Sequence, residues 1–366
     1  MRIAMVGSRG IPARSGGVER VVQELTAELA ARGHEVIVYG RRRYLAGAAP
    51  PGAGKVILTR GLGGKHLDTI THTATAMCDV VRRGVDVVHV HSPGPALLSW
   101  IPRMAGLPIV LTIHAPDWRR DKWRGPARLA LRLGLACGMK RADVVTAVSK
   151  SLAAELTERF GREVLHVPNA VGPVKFAPAG RLAAWGLKAD GYVLYVGRIV
   201  PEKRLDLLIR VWPQVHTDRK LVVAGPFDDM RYARLCRKLA GADVVFLGPQ
   251  YDDALAELYA GAAMVVLPGV LEGMSLVLLE AADHGRCTLA ADIPENAEVM
   301  GDSILYFPMD DGTELAAQIC RSLENEAMRG QLAAKAKQRV TRKYSWSEVA
   351  SRMEVLYNTA VQRRFK

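Results

Sequence analysis

Several signals that place a protein in a common class are missing from this sequence of 366 residues. No apolar run approaches the roughly 18–20 residues that cross a bilayer, and the chain reaches Gly7 too soon for the apolar core of a secretory signal. The five cysteines are odd in number, widely spaced and lack a C-x-x-C pair, which excludes a disulfide framework and a cysteine zinc site. We therefore expect a cytoplasmic protein with reduced thiols.

Positive charge is abundant but unevenly distributed. The formal net charge is +13, of which residues 1–170 hold +12 and residues 171–366 hold +1. Such asymmetry indicates that the first half meets an anionic partner, which could be nucleic acid, an anionic lipid headgroup or a phosphorylated substrate. The length and the 49% of hydrophobic residues suggest two domains with substantial cores.

Short apolar runs alternate with segments of helical periodicity, which predicts βαβ units and parallel sheets. The alternation of apolar runs and helical segments is interrupted near Pro168 and Pro173 and then resumes. A last helix is expected from about Ser345. We predict an α/β protein of two domains, residues 1–170 together with a C-terminal helix of about 345–366, and residues 171–344. The predicted strands are residues 2–6, 35–39, 85–91, 108–114, 142–148, 191–197, 220–225, 243–248 and 263–268.

The first strand runs into a glycine-rich loop that ends at Gly16 and Gly17, just before a predicted helix. Backbone amides at a helix N-terminus favour phosphate. The spacing is not G-x-G-x-x-G, and Arg41–Arg43 stand where a ribose-binding acidic residue would follow the second strand. An NADP site therefore stays open as an alternative, as does a plain connecting turn.

Two loops of the second half carry a stronger constellation. Glu272 follows a strand, Ser275 can cap the next helix, and Glu280 lies eight residues after Glu272, where a carboxylate could hold a ribose diol. In an earlier loop, Arg198 and Lys203 could both reach a diphosphate. Each group also has an explanation without a ligand. The two glutamates could be one acidic residue favoured near a helix N-terminus and one solvated glutamate. The two cations could be a solvated pair on a surface loop.

Histidines end two strands of the first half. We expect His114 to face a cleft, whereas His89, on the same strand face as His91, suits a hydrogen-bonded core position. Neither H-x-x-x-H nor H-E-x-x-H occurs, so zinc is not expected. D-x-D, the usual metal motif of sugar-nucleotide enzymes, is also missing.

Tryptophans and basic residues alternate between Trp118 and Arg132. This mixture suits a membrane interface, with arginines at phosphates and indoles at headgroup depth. The same mixture of residues would suit binding to nucleic acid equally well. A third possibility is that these residues form a solvated helix face.

Together these motifs resemble the retaining glycosyltransferases of family 4, and the likeness runs from about residue 2 to 358. Within that group, the first loop and the His114–Trp123 segment look most like a bacterial envelope-polysaccharide branch labelled rhamnosyltransferase-like. The motifs are Gly16-Gly17-Val-Glu19, Asp86-Val-Val-His-Val-His91, Thr112-Ile-His114, Ala142-Asp-Val-Val-Thr-Ala-Val-Ser149, Pro168-Asn169, Gly197-Arg198-x-x-Pro201-Glu202-Lys203, Glu272-x7-Glu280 and Tyr344-Ser-Trp346.

The resemblance implies the GT-B architecture, in which two Rossmann-like domains face each other across a cleft and a C-terminal helix crosses back to the first domain. It also implies transfer of a sugar from a UDP- or dTDP-sugar, without a metal or other cofactor. Electrostatic stabilisation of the leaving diphosphate would be the largest catalytic contribution. The acceptor would be a glycan or a polyprenyl-linked molecule. The protein would bind it as a peripheral protein at the inner face of the membrane.

The residue roles also come from the resemblance. His114, Arg198, Lys203 and Glu272 would be catalytic, with His114 beside the reacting carbon. Gly16, Gly17, Arg198, Lys203, Glu272, Gly273, Met274, Ser275, Leu276 and Glu280 would hold the donor, Glu280 at the ribose and the two cations at the diphosphate. His91, Asp117, Trp118 and Arg119 would hold the acceptor.

One departure from the family pattern concerns the turn after His114. Ala115-Pro116 replaces the usual glycine-bearing turn, which affects the acceptor side. Two other classes stay as alternatives, an NADP-dependent or sugar-phosphate enzyme and a basic nucleic-acid-binding protein. Neither explains Glu272 and Glu280 together with the two cations.

Overall fold

The computed structural model describes residues 1–14, 16–42, 44, 54–59, 61–62, 67–120, 123, 125–172 and 180–365. The chain forms two compact units. The first comprises Met1–Asn169 and Trp346–Lys366, and the second comprises Ala170–Ser345. These limits lie within one or two residues of those expected from the sequence, where the first unit ended at residue 170 and resumed at 345.

The first unit is built on a parallel sheet of seven strands in the order β3-β2-β1-β4-β5-β6-β7. The strands are β1 (Arg2–Val6), β2 (Glu35–Arg41), β3 (Lys55–Thr59), β4 (Val87–His91), β5 (Ile109–Ile113), β6 (Val144–Ala147) and β7 (Leu165–His166). The helices are α1 (Gly17–Ala31), α2 (Leu67–Arg83), α3 (Pro93–Ala96), α4 (Trp100–Met104), α5 (Pro126–Arg141), α6 (Lys150–Phe160) and, from the end of the chain, α15 (Trp346–Phe365).

The central strands are buried and mostly apolar because helices cover both faces of the sheet. All five residues of β4 and of β5 are buried. At the end of β1 the chain must pass close to β4. Gly7 has a φ of +118°, and a Cβ there would lie 2.3 Å from the carbonyl oxygen of His91, so only glycine fits this turn.

The second unit contains a parallel sheet of six strands in the order β10-β9-β8-β11-β12-β13. The strands are β8 (Tyr192–Val196), β9 (Lys220–Ala224), β10 (Val244–Gly248), β11 (Met264–Leu267), β12 (Thr288–Ala291) and β13 (Leu305–Phe307). The helices are α7 (Arg181–Ala184), α8 (Leu205–Val211), α9 (Met230–Leu239), α10 (Asp252–Gly261), α11 (Leu276–Asp283), α12 (Pro294–Met300), α13 (Gly312–Glu324) and α14 (Glu326–Lys343).

When the strands are numbered in chain order within each unit, six strands of the first sheet and all six of the second have the same spatial order, 3-2-1-4-5-6. This is the dinucleotide-fold order, and ligands bind such sheets where the order reverses. The reversals lie between β1 and β4 and between β8 and β11. The predicted α/β fold of two Rossmann-like domains is therefore confirmed. The sequence prediction missed the edge strands β3, β7 and β13 and the internal strand β12.

The C-terminal helix α15 completes the first unit. It packs against α1 and β5, and Glu354 accepts bonds from Arg32 (2.9 Å) and pairs with His34 (2.7 Å). Among the helices of the described residues, none has both the length and the apolar character needed to span a membrane.

Candidate functional site

The loop after β8 lies at the strand reversal of the second sheet. Gly197 directly follows this strand, and Pro201–Lys203 form a single 3-10 turn before α8. The loop after β9 approaches so closely that a Cβ on Gly225 would lie 1.8 Å from the Gly197 carbonyl oxygen. This backbone contact fixes the position of the loop that carries Arg198 and Lys203.

An ion pair connects the two loops at the reversal. The ammonium of Lys203, from the β8 loop, donates to Oε1 of Glu272, from the β11 loop. The two side chains are 19% and 12% exposed, so the contact is partly shielded from water while a face of each stays accessible. A Cβ on Gly269 would lie 3.2 Å from the same carboxylate oxygen, which leaves little room for any larger residue there.

Arg198 lies in the same loop and is held by two carboxylates. Its guanidinium is 3.5 Å from Oδ2 of Asp228 and 4.0 Å from Oε1 of Glu202. Both distances exceed a hydrogen bond, so the guanidinium is oriented without its donors being used up by these two contacts. Arg198 and Lys203 thus retain donors that an anionic ligand can take.

The segment after Glu272 leads into α11. Gly273, Met274 and Ser275 are buried, and α11 begins at Leu276. Ser275 occupies the N-cap position, but its side chain makes no capping hydrogen bond, so the cap expected from the sequence is not found. The amide groups of the first turn of α11 are therefore not satisfied by that side chain.

Glu280 lies in the second turn of α11. Its Oε2 accepts a 2.9 Å hydrogen bond from the hydroxyl of Tyr259, a residue of α10. The ring of Tyr259 is buried and stacks on His284 with centroids 5.2 Å apart. Burial and the neighbouring carboxylate raise the pKa of Tyr259 well above its usual value, so the hydroxyl stays a donor and fixes one oxygen of Glu280.

In the first unit, three imidazoles lie at the ends of β4 and β5. Nδ1 of His91 is 3.0 Å from Nε2 of His114, and the ring of His91 is 4.0 Å from that of His89. His89 is buried and bonded to the Tyr357 hydroxyl (2.9 Å) and the Thr112 hydroxyl (2.7 Å). The sequence expectation of a hydrogen-bonded core role for His89 is confirmed.

Burial keeps all three imidazoles neutral. It lowers the pKa of His89 to about 3 and that of His91 well below its usual value, and in both cases a neighbouring imidazole adds to the effect. Burial also lowers the pKa of His114 to about 4, although Asp117 opposes the shift. At neutral pH, His114 can therefore present a neutral ring to a substrate.

The residues after His114 separate into two environments. Asp117 is 3.0 Å from the Arg120 guanidinium, and Arg119 is 2.7 Å from Glu155. Trp118 is only 5% exposed and belongs to the core of the unit. The indole exposed at headgroup depth, which the membrane interpretation required, is thus not found at Trp118. Lys122 and Arg124 of the same stretch lie outside the described residues.

Gly16 and Gly17 begin α1, as the sequence indicated. The buried carboxylate of Glu19, in the first turn, accepts from the backbone amide of Arg9 (2.9 Å) and so ties the glycine-rich loop to the helix. Arg41, which the NADP alternative required at a ribose phosphate, is buried and lies 3.7 Å from Asp68. Arg43 lies outside the described residues.

Two family models match the chain. Residues 15–174 match Glycosyltransferase Family 4, and residues 190–325 match Glycosyl transferases group 1. The chain is a glycosyltransferase. The predicted enzyme class is therefore confirmed, and it replaces the NADP-dependent and nucleic-acid-binding alternatives.

Curated relatives align with this glycosyltransferase over nearly its whole length. The phosphatidyl-myo-inositol mannosyltransferase of Mycolicibacterium smegmatis is 28% identical over 392 residues, covering 98% of this chain and 94% of the relative. The glycogen synthase of Mycobacterium tuberculosis is 27% identical over 404 residues, covering 98% and 95%.

Solved structures share the fold. The sucrose-phosphate synthase of Thermosynechococcus elongatus superimposes with a TM-score of 0.84 at 22% identity, covering 98% of both chains. Anabaena HepE in complex with UDP-glucose gives a TM-score of 0.80 at 16% identity, covering 98% of this chain and all of that one. The expected GT-B architecture is confirmed by these likenesses.

The structure brings together Arg198, Lys203 and Glu272 in one unit, and His91 and His114 in the other. Sequence reasoning missed Tyr259, which positions Glu280, and the role of Asp228 beside Arg198. A signal existed for Asp228, because it follows β9, the direct neighbour of β8, at the same edge of the sheet. Nothing in the sequence pointed to Tyr259.

Proposed function

We propose that this glycosyltransferase moves a hexose from a UDP- or dTDP-sugar to a glycan or lipid-linked acceptor, with retention at the anomeric carbon. The observation that carries the proposal is the Lys203–Glu272 ion pair with Arg198 beside it, at the strand reversal of the second sheet. A nucleoside diphosphate needs cations placed at such an edge. No metal is required in this proposal, because two side-chain cations would face the leaving group.

The donor would be held mainly in the second unit. Glu280, with one oxygen fixed by Tyr259, would accept from the ribose hydroxyls, and Arg198 and Lys203 would bind the diphosphate. Glu272 and the amides of Gly273–Leu276 would hold the sugar. Solved structures of the same fold carry UDP with glucose, and a starch synthase domain carries ADP, which supports a nucleoside diphosphate donor.

In the first unit, neutral His114 would lie beside the reacting carbon and His91 would orient it. Negative charge develops on the leaving diphosphate, and preorganised cations stabilise such charge most when water is excluded. In the front-face route, the departing phosphate oxygen helps to take the proton of the acceptor hydroxyl. Gly16 and Gly17 would approach the diphosphate through the first turn of α1.

The acceptor class rests on the relatives. Proteins named phosphatidyl-myo-inositol mannosyltransferase and glycogen synthase align over the whole chain, which favours a hexosyltransferase acting on a lipid-linked or glycan acceptor. We include in the proposal the envelope-polysaccharide branch suggested by the first loop, and a peripheral location at the inner membrane face. The charge of +12 in residues 1–170 supports contact with an anionic surface.

Thermal unfolding with nucleotides tests the donor assignment. UDP, dTDP, GDP, ADP and NADP are each added with EDTA and then with Mg²⁺, to wild type and to Lys203→Ala. A ligand at 100 times its dissociation constant adds roughly 2.7 kcal/mol, so UDP or dTDP should raise the midpoint clearly and equally under both conditions. The control Lys238→Ala, at an exposed position of α9, should respond like wild type.

Three results would contradict the proposal. A shift with NADP alone would remove the sugar-nucleotide site. A shift that disappears with EDTA would replace the metal-independent mechanism. An equal shift for Lys203→Ala and wild type would remove Lys203 from the nucleotide site. Retention itself is tested by proton NMR of the anomeric configuration in the first-formed product.

A further inference from the structure

A cavity of about 420 Å³ opens in the first unit between the turn Asp117–Arg119, α5 and α6. The first lining residue of this cavity follows His114 by four residues. Its lining is almost entirely charged, with a single aromatic residue at the base. The lining residues are Trp118, Arg119, Arg128, Arg132, Glu155 and Arg159.

The charges of this arginine pocket do not balance. Four guanidiniums face one carboxylate, and Glu155 is engaged by Arg119 at 2.7 Å. Within the part of the chain that the structure describes, Arg128, Arg132 and Arg159 lie within 4.0 Å of no carboxylate. Like charges gathered in one cavity repel one another, and an anion that enters the pocket would relieve this repulsion.

Two of the guanidiniums are oriented by contacts that leave donors available. Toward the residues that the structure describes, Arg128 donates through Nε alone, to the carbonyl oxygen of Trp123 at 2.8 Å. Arg159 lies over the rings of Trp118 and Phe160, 5.9 and 5.2 Å from their centroids. Stacking fixes the plane of Arg159 without consuming its N–H groups. Such oriented forks match phosphate oxygens well.

An exposed apolar stripe runs beside the pocket on α5. Leu129 and Leu133 are 57% and 52% exposed, and each follows an arginine of the pocket by one residue. At 100° per residue, the two leucines form one stripe and Arg128 and Arg132 the adjacent one. An anion that enters the pocket can therefore belong to a molecule with an apolar part.

We propose that the arginine pocket binds a phosphoryl ester, phosphate or diphosphate, carried by the sugar acceptor. This inference rests on the proposed function, whose acceptor it specifies by chemistry. The volume lies within the usual range of small-molecule sites and exceeds the needs of a single inorganic ion. The ester has two possible sources, a lipid phosphate in a bilayer and a soluble phosphorylated sugar.

The first experiment isolates the pocket from the donor site. Inorganic pyrophosphate is titrated calorimetrically, at fixed ionic strength, into the Arg198→Ala/Lys203→Ala protein, in which the proposed diphosphate site of the second unit is disabled. We expect one pyrophosphate per chain. Adding Arg132→Gln/Arg159→Gln should weaken its binding at least tenfold, because two charge-assisted contacts are lost.

A matched control removes the same charge elsewhere in the first unit. Arg82→Gln/Lys140→Gln, at exposed positions of α2 and α5, should change the affinity less than twofold. Arg159 also packs on two rings, so Arg132→Gln alone, at an exposed position, serves as a second variant that keeps the packing. It should weaken binding about threefold or more, with an unchanged unfolding midpoint.

The proposal is overturned if pyrophosphate fails to bind the Arg198→Ala/Lys203→Ala protein, or if the pocket and control variants weaken binding equally. Failure of the proposed function is a separate result, since it is read from UDP binding to wild type. If pyrophosphate binding fails while UDP binding is retained, the pocket proposal is wrong. If UDP binding fails while pyrophosphate binding is retained, the proposed function is wrong.

A second arm identifies the source of the ester. Leu129→Ser/Leu133→Ser protein is compared with wild type for sedimentation with phosphatidylcholine vesicles that contain phosphatidic acid. A large loss of vesicle binding with unchanged pyrophosphate affinity assigns the pocket to a lipid phosphate. If wild type does not sediment with these vesicles although it binds pyrophosphate, the pocket is assigned to a soluble phosphorylated sugar. Both results support the phosphoryl site. Only the pyrophosphate titration can disprove it.

Discussion

Nδ1 of His91 lies 3.0 Å from Nε2 of His114, and this contact requires one nitrogen with a proton and one without. Two neutral rings satisfy that requirement, whereas two charged rings would direct N–H groups at each other. Because burial lowers the pKa of both imidazoles, the contact forms at neutral pH. It fixes the orientation of the ring that we place beside the reacting carbon.

Acid should therefore destabilise the protein through its histidines. The pKa of His114 is about 4 in the folded state and about 6.5 in the unfolded chain, so the unfolded chain binds more protons between these values. Stability is complete above about pH 6.5 and falls as the pH drops toward 4. For His114 alone, the loss at pH 4 amounts to about 3 kcal/mol.

Urea unfolding at pH 7, 6 and 5 measures this loss. His114→Gln, whose amide can still bond His91, should lose less stability across the series than wild type. His216→Gln, at an exposed position, should follow wild type. Parallel curves for His114→Gln and wild type would show that the pKa of His114 is not depressed.

Removing the Tyr357 hydroxyl should weaken the first unit. The hydroxyl is buried against Nδ1 of His89 at 2.9 Å, and Tyr357→Phe leaves that nitrogen without its partner. A loss of about 1–2 kcal/mol in the free energy of unfolding is expected. Asn358→Ala, exposed on the same helix, should cost less than about 0.5 kcal/mol. Equal values for the two variants would deny the hydroxyl any stabilising role.

Glu280→Ala should reduce nucleotide affinity about 10- to 100-fold, because the ribose loses a charged acceptor. Calorimetric titration with UDP measures the change. Tyr259→Phe should have a smaller effect, since it removes one hydrogen bond to the carboxylate but keeps the carboxylate itself. Glu324→Gln, exposed at the end of α13, is the control. Wild-type affinity in Glu280→Ala would move the ribose site elsewhere.

Lys203→Ala should lower kcat by roughly two to three orders of magnitude, as loss of a single transition-state donor does elsewhere. The variant should still fold, but its thermal midpoint should fall, because Glu272 loses its partner in a position that is partly shielded from water. Lys238→Ala should keep full turnover. If Lys203→Ala turns over within about threefold of wild type, the lysine does not stabilise the leaving group.

Most strands at the centre of each sheet could be predicted from the sequence because they are largely apolar, and β1, β8 and β9 are followed directly by glycine. The strands β3, β7 and β13 lie at sheet edges and are partly exposed, so their residues show no clear period. Strand β12 is buried between β11 and β13, but its four residues Thr-Leu-Ala-Ala include two alanines, which have low strand propensity. Loop residues such as Lys203 and Glu272 were predictable from their places after strands. The hydrogen bond from Tyr259 to Glu280 was not, because it joins α10 to α11, and no sequence pattern specifies which faces of two helices meet.

The arginine pocket shows the same limit. Arg128 and Arg132 were visible as a basic segment, but Glu155 and Arg159 come from a different helix, and only the packing of α6 brings them to the cavity. Trp118 was expected to be exposed because of its arginine neighbours. In the fold, the turn after β5 directs its ring inward, so composition alone gave the wrong environment.

Helix α15 has a consequence for biosynthesis. It supplies Tyr357 to the core of the first unit, yet 176 residues of the second unit are translated between Asn169 and Trp346. At roughly 5–20 residues per second, the nascent first unit waits about 10–35 s on the ribosome with one face of α1 and β5 uncovered. The second unit, by contrast, is contiguous and can fold as it emerges, so the half that is made first is the half that is finished last.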